Sequence, residues 1–354
     1  MLKLSVLNCA FGALLTLGAC ADATSISFSC EKDKQGNYIL KWEVSPEKDN
    51  AQINIFCSDN DSIFPNEAYE SRPQNDYVAV ITPTKGAFRS YFMLKTGKTL
   101  SGIITNRRFE MDSIQNFRDL GGYFTDDGKQ MRWGKIYRCG SLARTSKKDS
   151  AILSALRIAT VIDFRDSRLQ QNFPDLYDKA YHVNLPINAN IYDPEVKQRI
   201  IKGSFFKGDA IIHTQDCYRN ILEDYSEQFR SFFDILCDEA NYPVVFHCGL
   251  GKDKTGLAAF FLLKALDIPS NVIEDDFLLS NECIDKCQLV NNEEKELSEK
   301  MQEAMTMIAK ADHSQLTFAI SCMKKECGSV ETYMTKKLNL TAEKRNKLKK
   351  ILLY

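Results

Sequence analysis

The stretch that most constrains this 354-residue chain is His247-Cys248-Gly249-Leu250-Gly251-Lys252-Asp253-Lys254-Thr255-Gly256, set between the apolar run Val244-Val245-Phe246 and an apolar segment reaching Leu266. A short apolar run, a glycine-bearing turn and a helix-length apolar segment predict strand, loop and helix in that order. In that arrangement the loop amides and the positive N-terminal end of the helix converge on one point, which suits an oxyanion. Gly249 and Gly251 let the backbone curl so that successive N–H groups face inward. Leu250 and Gly256 complete the cradle. At its base, Cys248 is flanked by Lys252, Lys254 and the helix terminus, all of which favour a nucleophilic thiolate.

The surrounding sequence alternates strand and helix signals. Lys135–Arg138, Ala159–Phe164 and Tyr181–Leu185 read as short strands, Ser146–Arg157 has helical spacing, and Thr214–Ala240 is one long amphipathic stretch. Beyond Pro269 the chain reads as helical to its end, including the Glu- and Lys-rich run Asn291–Lys300 as a solvated face. This texture predicts an α/β domain over residues 106–354. The whole chain's formal net charge of −1 leaves no general basic surface, so nucleic acid is not an expected partner. There is no Cys-x-x-Cys pair, and the four histidines show no ligand spacing with Cys or acids, so neither a metal nor another cofactor is expected.

Residues 24–105 differ, with short alternating runs (Tyr38–Val44, Gln52–Cys57, Tyr77–Ile81, Ser90–Leu94) separated by turn clusters. Trp42 is the expected core tryptophan, and the pattern resembles an all-β sandwich of the immunoglobulin or fibronectin type III kind. Cys30 and Cys57 would staple it if their strands face each other. Ahead of it, Lys3 precedes an apolar run from Leu4 to Leu17 that is too short to span a bilayer as an ordinary helix. The closing Leu17-Gly18-Ala19-Cys20 resembles the lipobox of bacterial lipoproteins. That implies a signal peptide over 1–19, a lipidated Cys20, an anchor and linker over 20–23, and export to the periplasmic face or the cell surface. A plain secretory signal cut near Ala21 and a buried N-terminal helix are the alternatives.

The loop is similar to the Cys-x5-Arg loop of cysteine-dependent protein-tyrosine phosphatases. It most resembles a subfamily of secreted bacterial tyrosine and phosphoinositide phosphatases whose loop reads His-Cys-x-x-Gly-Lys-Asp-Arg-Thr-Gly. It departs at one place, where Lys254 occupies the arginine position. Asn116-Phe117-Arg118-Asp119-Leu120-Gly121-Gly122, Tyr137–Leu142, Val161–Arg165, Asp276–Asn281 and the segment from Tyr333 to Leu353 extend the likeness over roughly residues 110 to 354.

The resemblance implies an α/β cysteine-phosphatase fold, with a central sheet flanked by helices and a helical C-terminal part. It implies phosphate monoester hydrolysis through a cysteinyl-phosphate: Cys248 as nucleophile, Asp253 as general acid, Lys254 as the positive clamp and Thr255 as the hydroxyl after it. Lys252, Arg118 and Asp119 are expected at the phosphate or substrate site, with a structural ion pair as the alternative for the Arg-Asp motif. Phe173-Pro174-Asp175 looks like the acid loop of the larger tyrosine phosphatases and competes with Asp253, though Pro-Asp is also ordinary turn chemistry. His247 is expected to orient the loop. The implied substrates are a phosphorylated tyrosine or dual-specificity protein site, or alternatively a phosphoinositide or inositol phosphate. Because lysine offers a mobile point charge in place of a planar fork, a phosphate-binding pseudophosphatase is a further alternative.

Overall fold

The computed structural model describes residues 24–82, 88–191, 193–285 and 298–354. Cys20, the apolar run before it, Cys287 and most of the Asn291–Lys300 run lie outside the described residues. No helix among the described residues is long and apolar enough to cross a membrane.

The chain forms two compact units that do not divide at a single point. One comprises the described residues up to Phe109 with Leu120–Trp133 and Tyr354; the other comprises the described residues of Glu110–Asp119 and Gly134–Leu353. The motif Asn116–Gly122 is therefore shared between them.

The first unit contains two antiparallel sheets. Ser25–Lys32, Tyr38–Ser45 and Val78–Ile81 pair in that order, and Glu70–Pro73, Gln52–Ser58, Tyr91–Thr96 and Thr99–Leu100 form the other sheet. The inward positions of both sheets meet in one core, including Ile26, Leu40, Trp42, Ile53, Ile55, Phe92 and Leu94. Trp42 donates its indole N–H to the Gln74 carbonyl at 2.9 Å, so its polar atom is satisfied inside the core. Cys30 and Cys57 are both free thiols, with Cys30 in the core and Cys57 packed against it. Tyr354 joins this unit through its N–H to the Gln130 carbonyl at 3.0 Å and its hydroxyl to Asp61 Oδ2 at 2.8 Å.

The second unit is built on a five-stranded sheet ordered Tyr181–Asn184, Thr160–Asp163, Val244–His247, Ile136–Cys139 and Arg118–Asp119. The first four are parallel and the last pair is antiparallel. Val244–His247 is buried at every position, as a central parallel strand requires. Helix Lys254–Ala265 follows it and buries almost its entire length, while helices Lys207–Asp224 and Ser226–Leu236 also pack into this unit. The expected single stretch 214–240 is thus two helices, broken at Tyr225, whose φ of −119° and ψ of 28° leave the helical region. Phe164, Phe229, Phe232 and Phe246 fill the space between sheet and helices, with ring centroids 5.1–6.4 Å apart.

Candidate active site

Cys248 stands at the carboxyl end of the middle strand, where strand order reverses: the chain runs from Ile136–Cys139 to Thr160–Asp163 across the position later filled by Val244–His247. Open α/β sheets place ligands at such a switch point. Ser141 N–H donates to the Gly249 carbonyl at 2.9 Å. The Asn116 amide donates to the carbonyls of Leu250 and Gly251 at 3.1 and 2.9 Å, and Arg138 Nη2 reaches the Gly251 carbonyl at 2.8 Å. These contacts bind three successive loop carbonyls from outside, and a planar trans peptide points its amide the opposite way.

Gly251 is the glycine the loop cannot replace. Its φ is +67°, and a Cβ there would sit 2.2 Å from the Cys139 carbonyl oxygen and 2.4 Å from its carbon. Gly249 has open space where a Cβ would be and no positive φ, so the expected need for glycine there is not a backbone need. At Gly256 a Cβ would meet the Phe277 ring at 2.9 Å, which makes this position a matter of close packing.

The charged side chains of the loop are all engaged. Lys252 is fully buried and donates to Asp253 Oδ1 at 2.6 Å. The same oxygen accepts the Tyr218 hydroxyl at 2.9 Å. Burial first, and then the Asp253 charge, push the Tyr218 phenol well above its usual range, so it stays a protonated donor. The Asp253 side chain does not cap the helix that begins at Lys254, leaving the first-turn N–H groups without a carboxylate of their own. Lys254 Nζ donates to the Ile187 carbonyl at 2.5 Å and to Asn190 Oδ1 at 2.8 Å. Burial lowers the Lys254 pKa, and the charge of Cys248 is the largest influence opposing it. Thr255 Oγ1 is buried with no hydrogen-bond partner, a condition that costs about 1–3 kcal/mol.

A buried charge cluster gathers where the strands Thr160–Asp163 and Val244–His247 end. Arg165 holds Asp163 by two parallel contacts, Nε to Oδ1 at 3.0 Å and Nη2 to Oδ2 at 2.6 Å, and reaches Asp175 Oδ1 at 2.8 Å. His247 Nε2 lies 2.9 Å from Asp175 Oδ2. Burial alone would raise the Asp175 pKa, but the His247 hydrogen bond and the charges of His247 and Arg165 outweigh it and hold it below its ordinary value. Burial alone would lower His247, but Asp163 and Asp175 outweigh it and raise it. An anion so fixed is a poor proton donor. Asp163, Asp175 and His247 also have the spacing of metal donors, yet Arg165 and His247 already occupy and neutralise both carboxylates.

Arg118 and Asp119, expected at the substrate site, are fully buried. Arg118 Nε contacts Asp276 Oδ1 at 3.0 Å, Arg138 Nη1 contacts Asp276 Oδ2 at 2.6 Å, and Asp119 Oδ2 accepts the Gly134 N–H at 2.8 Å. Arg118 also donates to the carbonyl of Asn116, the residue that binds the loop carbonyls, so it stands one hydrogen-bonded layer away from the loop. Sequence reasoning gave no role to Tyr218, Ile187 or Asn190, and assigned none to Asp276 within its matching segment. Their partners lie 35, 67, 64 and 158 residues away in the chain, so no local spacing marks them.

The model of the tyrosine phosphatase family matches residues 109–354. A protein of Cupriavidus necator named as a tyrosine-protein phosphatase is 31% identical over 173 residues, 48% of this chain and 62% of that one. The chain thus spans less than two thirds of that relative's length. The triple specificity protein phosphatase PtpB of Mycobacterium tuberculosis is 26% identical over 196 residues, 49% of this chain and 70% of that one. Among solved structures, the core catalytic domain of the PP-IP phosphatase SIW14 from S. cerevisiae matches at 15% identity over 52% of this chain and 86% of that one, with a TM-score of 0.25, too low to argue from. The family match covers more than half of the sequence and contains the whole loop from His247 to Gly256, and on that ground the chain belongs to the tyrosine phosphatase family.

Proposed function

We propose that the chain hydrolyses phosphate monoesters through a cysteinyl-phosphate, acting on phosphotyrosine or dual-specificity protein sites. The observation that carries this reading is the position of Cys248 at the base of a loop whose carbonyls are bound from outside, with a partnerless, buried Thr255 hydroxyl in the first turn of the helix that follows. The Cys248 thiolate attacks phosphorus in line; an S–P bond forms, the P–O bond to the leaving group breaks, and Asp253 gives that oxygen its proton. Water then attacks phosphorus, the S–P bond breaks, and the water proton passes to Asp253. Loop amides and the Lys254 ammonium stabilise the equatorial oxygens. Asp253 Oδ1 accepts from both Lys252 and Tyr218, which supports Oδ2 as the oxygen that carries the transferred proton.

Lysine in place of arginine retains the charge and gives up the bidentate grip, so turnover is slowed and survives. The name of the mycobacterial relative, a triple specificity protein phosphatase, supports assaying more than one class of substrate. The N-terminal sheets, with their 3-stranded and 4-stranded orders around one core, support a sandwich of the fibronectin type III kind serving as spacer or docking surface. The Leu17–Cys20 sequence supports an exported lipoprotein anchored through Cys20.

The experiment is phosphate release from an aryl phosphate by the chain beginning after Cys20, beside Cys248→Ser and Lys254→Arg. Activity that disappears in the serine variant and rises in the arginine variant supports the mechanism. A silent parent restored by Lys254→Arg makes the protein a phosphate-binding pseudophosphatase, and silence in both removes the enzymatic reading. A panel of phosphopeptides and phosphoinositides then ranks the two substrate classes.

A further inference from the structure

A lysine at the arginine position lacks the planar fork that fixes an arginine's donors, yet the Lys254 ammonium is held at two points, the Ile187 carbonyl at 2.5 Å and Asn190 Oδ1 at 2.8 Å. The orientation of the Asn190 amide is dictated from its other side. Its Nδ2 donates to Asp166 Oδ2 at 3.0 Å, and an ionised carboxylate only accepts, so the amide oxygen must turn toward the lysine. Asp166 is itself fixed: it is buried, and its Oδ1 accepts the Leu169 N–H as the N-cap of helix Ser167–Asn172. A relay of defined contacts therefore runs from that helix through Asp166 and Asn190 to the loop.

We propose that Asn190 is a positioning residue which, with the Ile187 carbonyl, supplies from outside the fixity that a guanidinium has by its own planarity, leaving the third N–H of Lys254 for a phosphate oxygen. An ammonium has three donors, and two are occupied by these contacts. Burial lowers the Lys254 pKa, and a charge on Cys248 opposes it. The assignment rests on the phosphatase reading above and explains how the loop works without its arginine.

The test is a cycle of four proteins: the unsubstituted chain, Asn190→Ala, Lys254→Arg and the double variant. Each is measured for orthovanadate affinity and for kcat/KM on an aryl phosphate. Asn190 is half-buried in a loop, so Asn190→Ala is expected to keep the melting temperature within about 2 °C. The expected result is a loss of about tenfold in vanadate affinity and in kcat/KM from Asn190→Ala in the parent, and a change below about twofold in the Lys254→Arg background, because an arginine does not need the external hold. An equal loss in both backgrounds, or none in either, overturns the proposal while vanadate binding by the parent keeps the phosphatase reading intact. Absence of vanadate binding and turnover from all four proteins overturns both.

Discussion

The buried guanidinium clusters and the loop that follows Cys248 carry their positive charge in different ways. In the clusters, guanidinium groups grip carboxylates that never leave: Arg165 on Asp163 and Asp175, Arg118 and Arg138 on Asp276. At the front of the site the loop presents ammonium groups, Lys252 on Asp253 and Lys254 on the Ile187 carbonyl and Asn190. A planar fork suits a permanent partner of matching geometry, whereas a point charge on a four-carbon stem tolerates a partner that arrives and departs but must be aimed by its neighbours. The clusters are thus specified by pairs, and the front by the residues that hold each lysine.

The largest expected effect falls on the guanidinium clusters. Asp276→Ala leaves two buried guanidiniums without their carboxylate, and breaking a buried pair this way costs about 3–5 kcal/mol. The melting temperature should fall by on the order of 10 °C; a loss near 1 °C would show that the Asp276 network is dispensable. Next comes the loop backbone. Gly251→Ala sets a methyl 2.2 Å from the Cys139 oxygen at a positive φ, so the loop must shift, and turnover should fall about a hundredfold or more with a smaller change in stability.

Smaller effects sharpen the contrast at the front. Tyr218→Phe removes one donor from Asp253 and should lower kcat by about tenfold for alkyl or phenyl phosphates that need a proton. A nitrophenyl phosphate, whose leaving group needs little help, should respond by less than about threefold. An equal loss for both would assign Tyr218 to folding alone. Because burial lowers the Lys254 pKa, the ammonium is lost at lower pH than an ordinary lysine's as pH rises. The alkaline limb of the kcat/KM profile should therefore move upward in Lys254→Arg, which keeps its charge.

The smallest effect concerns the Asp175–His247 pair. Asp175 lies below its ordinary 3.8, so its stabilisation is present above that pH and is lost as pH falls through the folded value. His247 lies above its ordinary 6.5, so its stabilisation is complete below that pH and is lost as pH rises through the folded value. The difference in melting temperature between the unsubstituted chain and Asp175→Asn should be greatest between these two pH values and shrink on both sides. A difference that is flat with pH would mean that packing, not charge, holds the cluster.

What the sequence made legible was whatever is local. The strand, loop and helix around Cys248 follow from an apolar run, Gly251 and a second apolar run, all within about twenty residues. Arg118 and Asp119 were legible as a motif but not as a location, because a charged pair reads the same at a cleft and in a core. The partner that decides it, Asp276, comes 158 residues after Arg118. Asn190 and Tyr218 sit in segments with no distinctive spacing, and only the tertiary fold brings them to Lys254 and Asp253. In the all-β unit, Glu70–Pro73 and Thr99–Leu100 lack alternating apolar residues, and strand pairing alone reveals them.

The all-β unit draws on three separate stretches, the described residues up to Phe109, the segment Leu120–Trp133 and Tyr354, whose hydroxyl reaches Asp61. Such a unit is no cassette: a cut at Phe109 leaves behind two stretches that belong to it, and grafting residues 24–109 onto another protein would transplant an incomplete module.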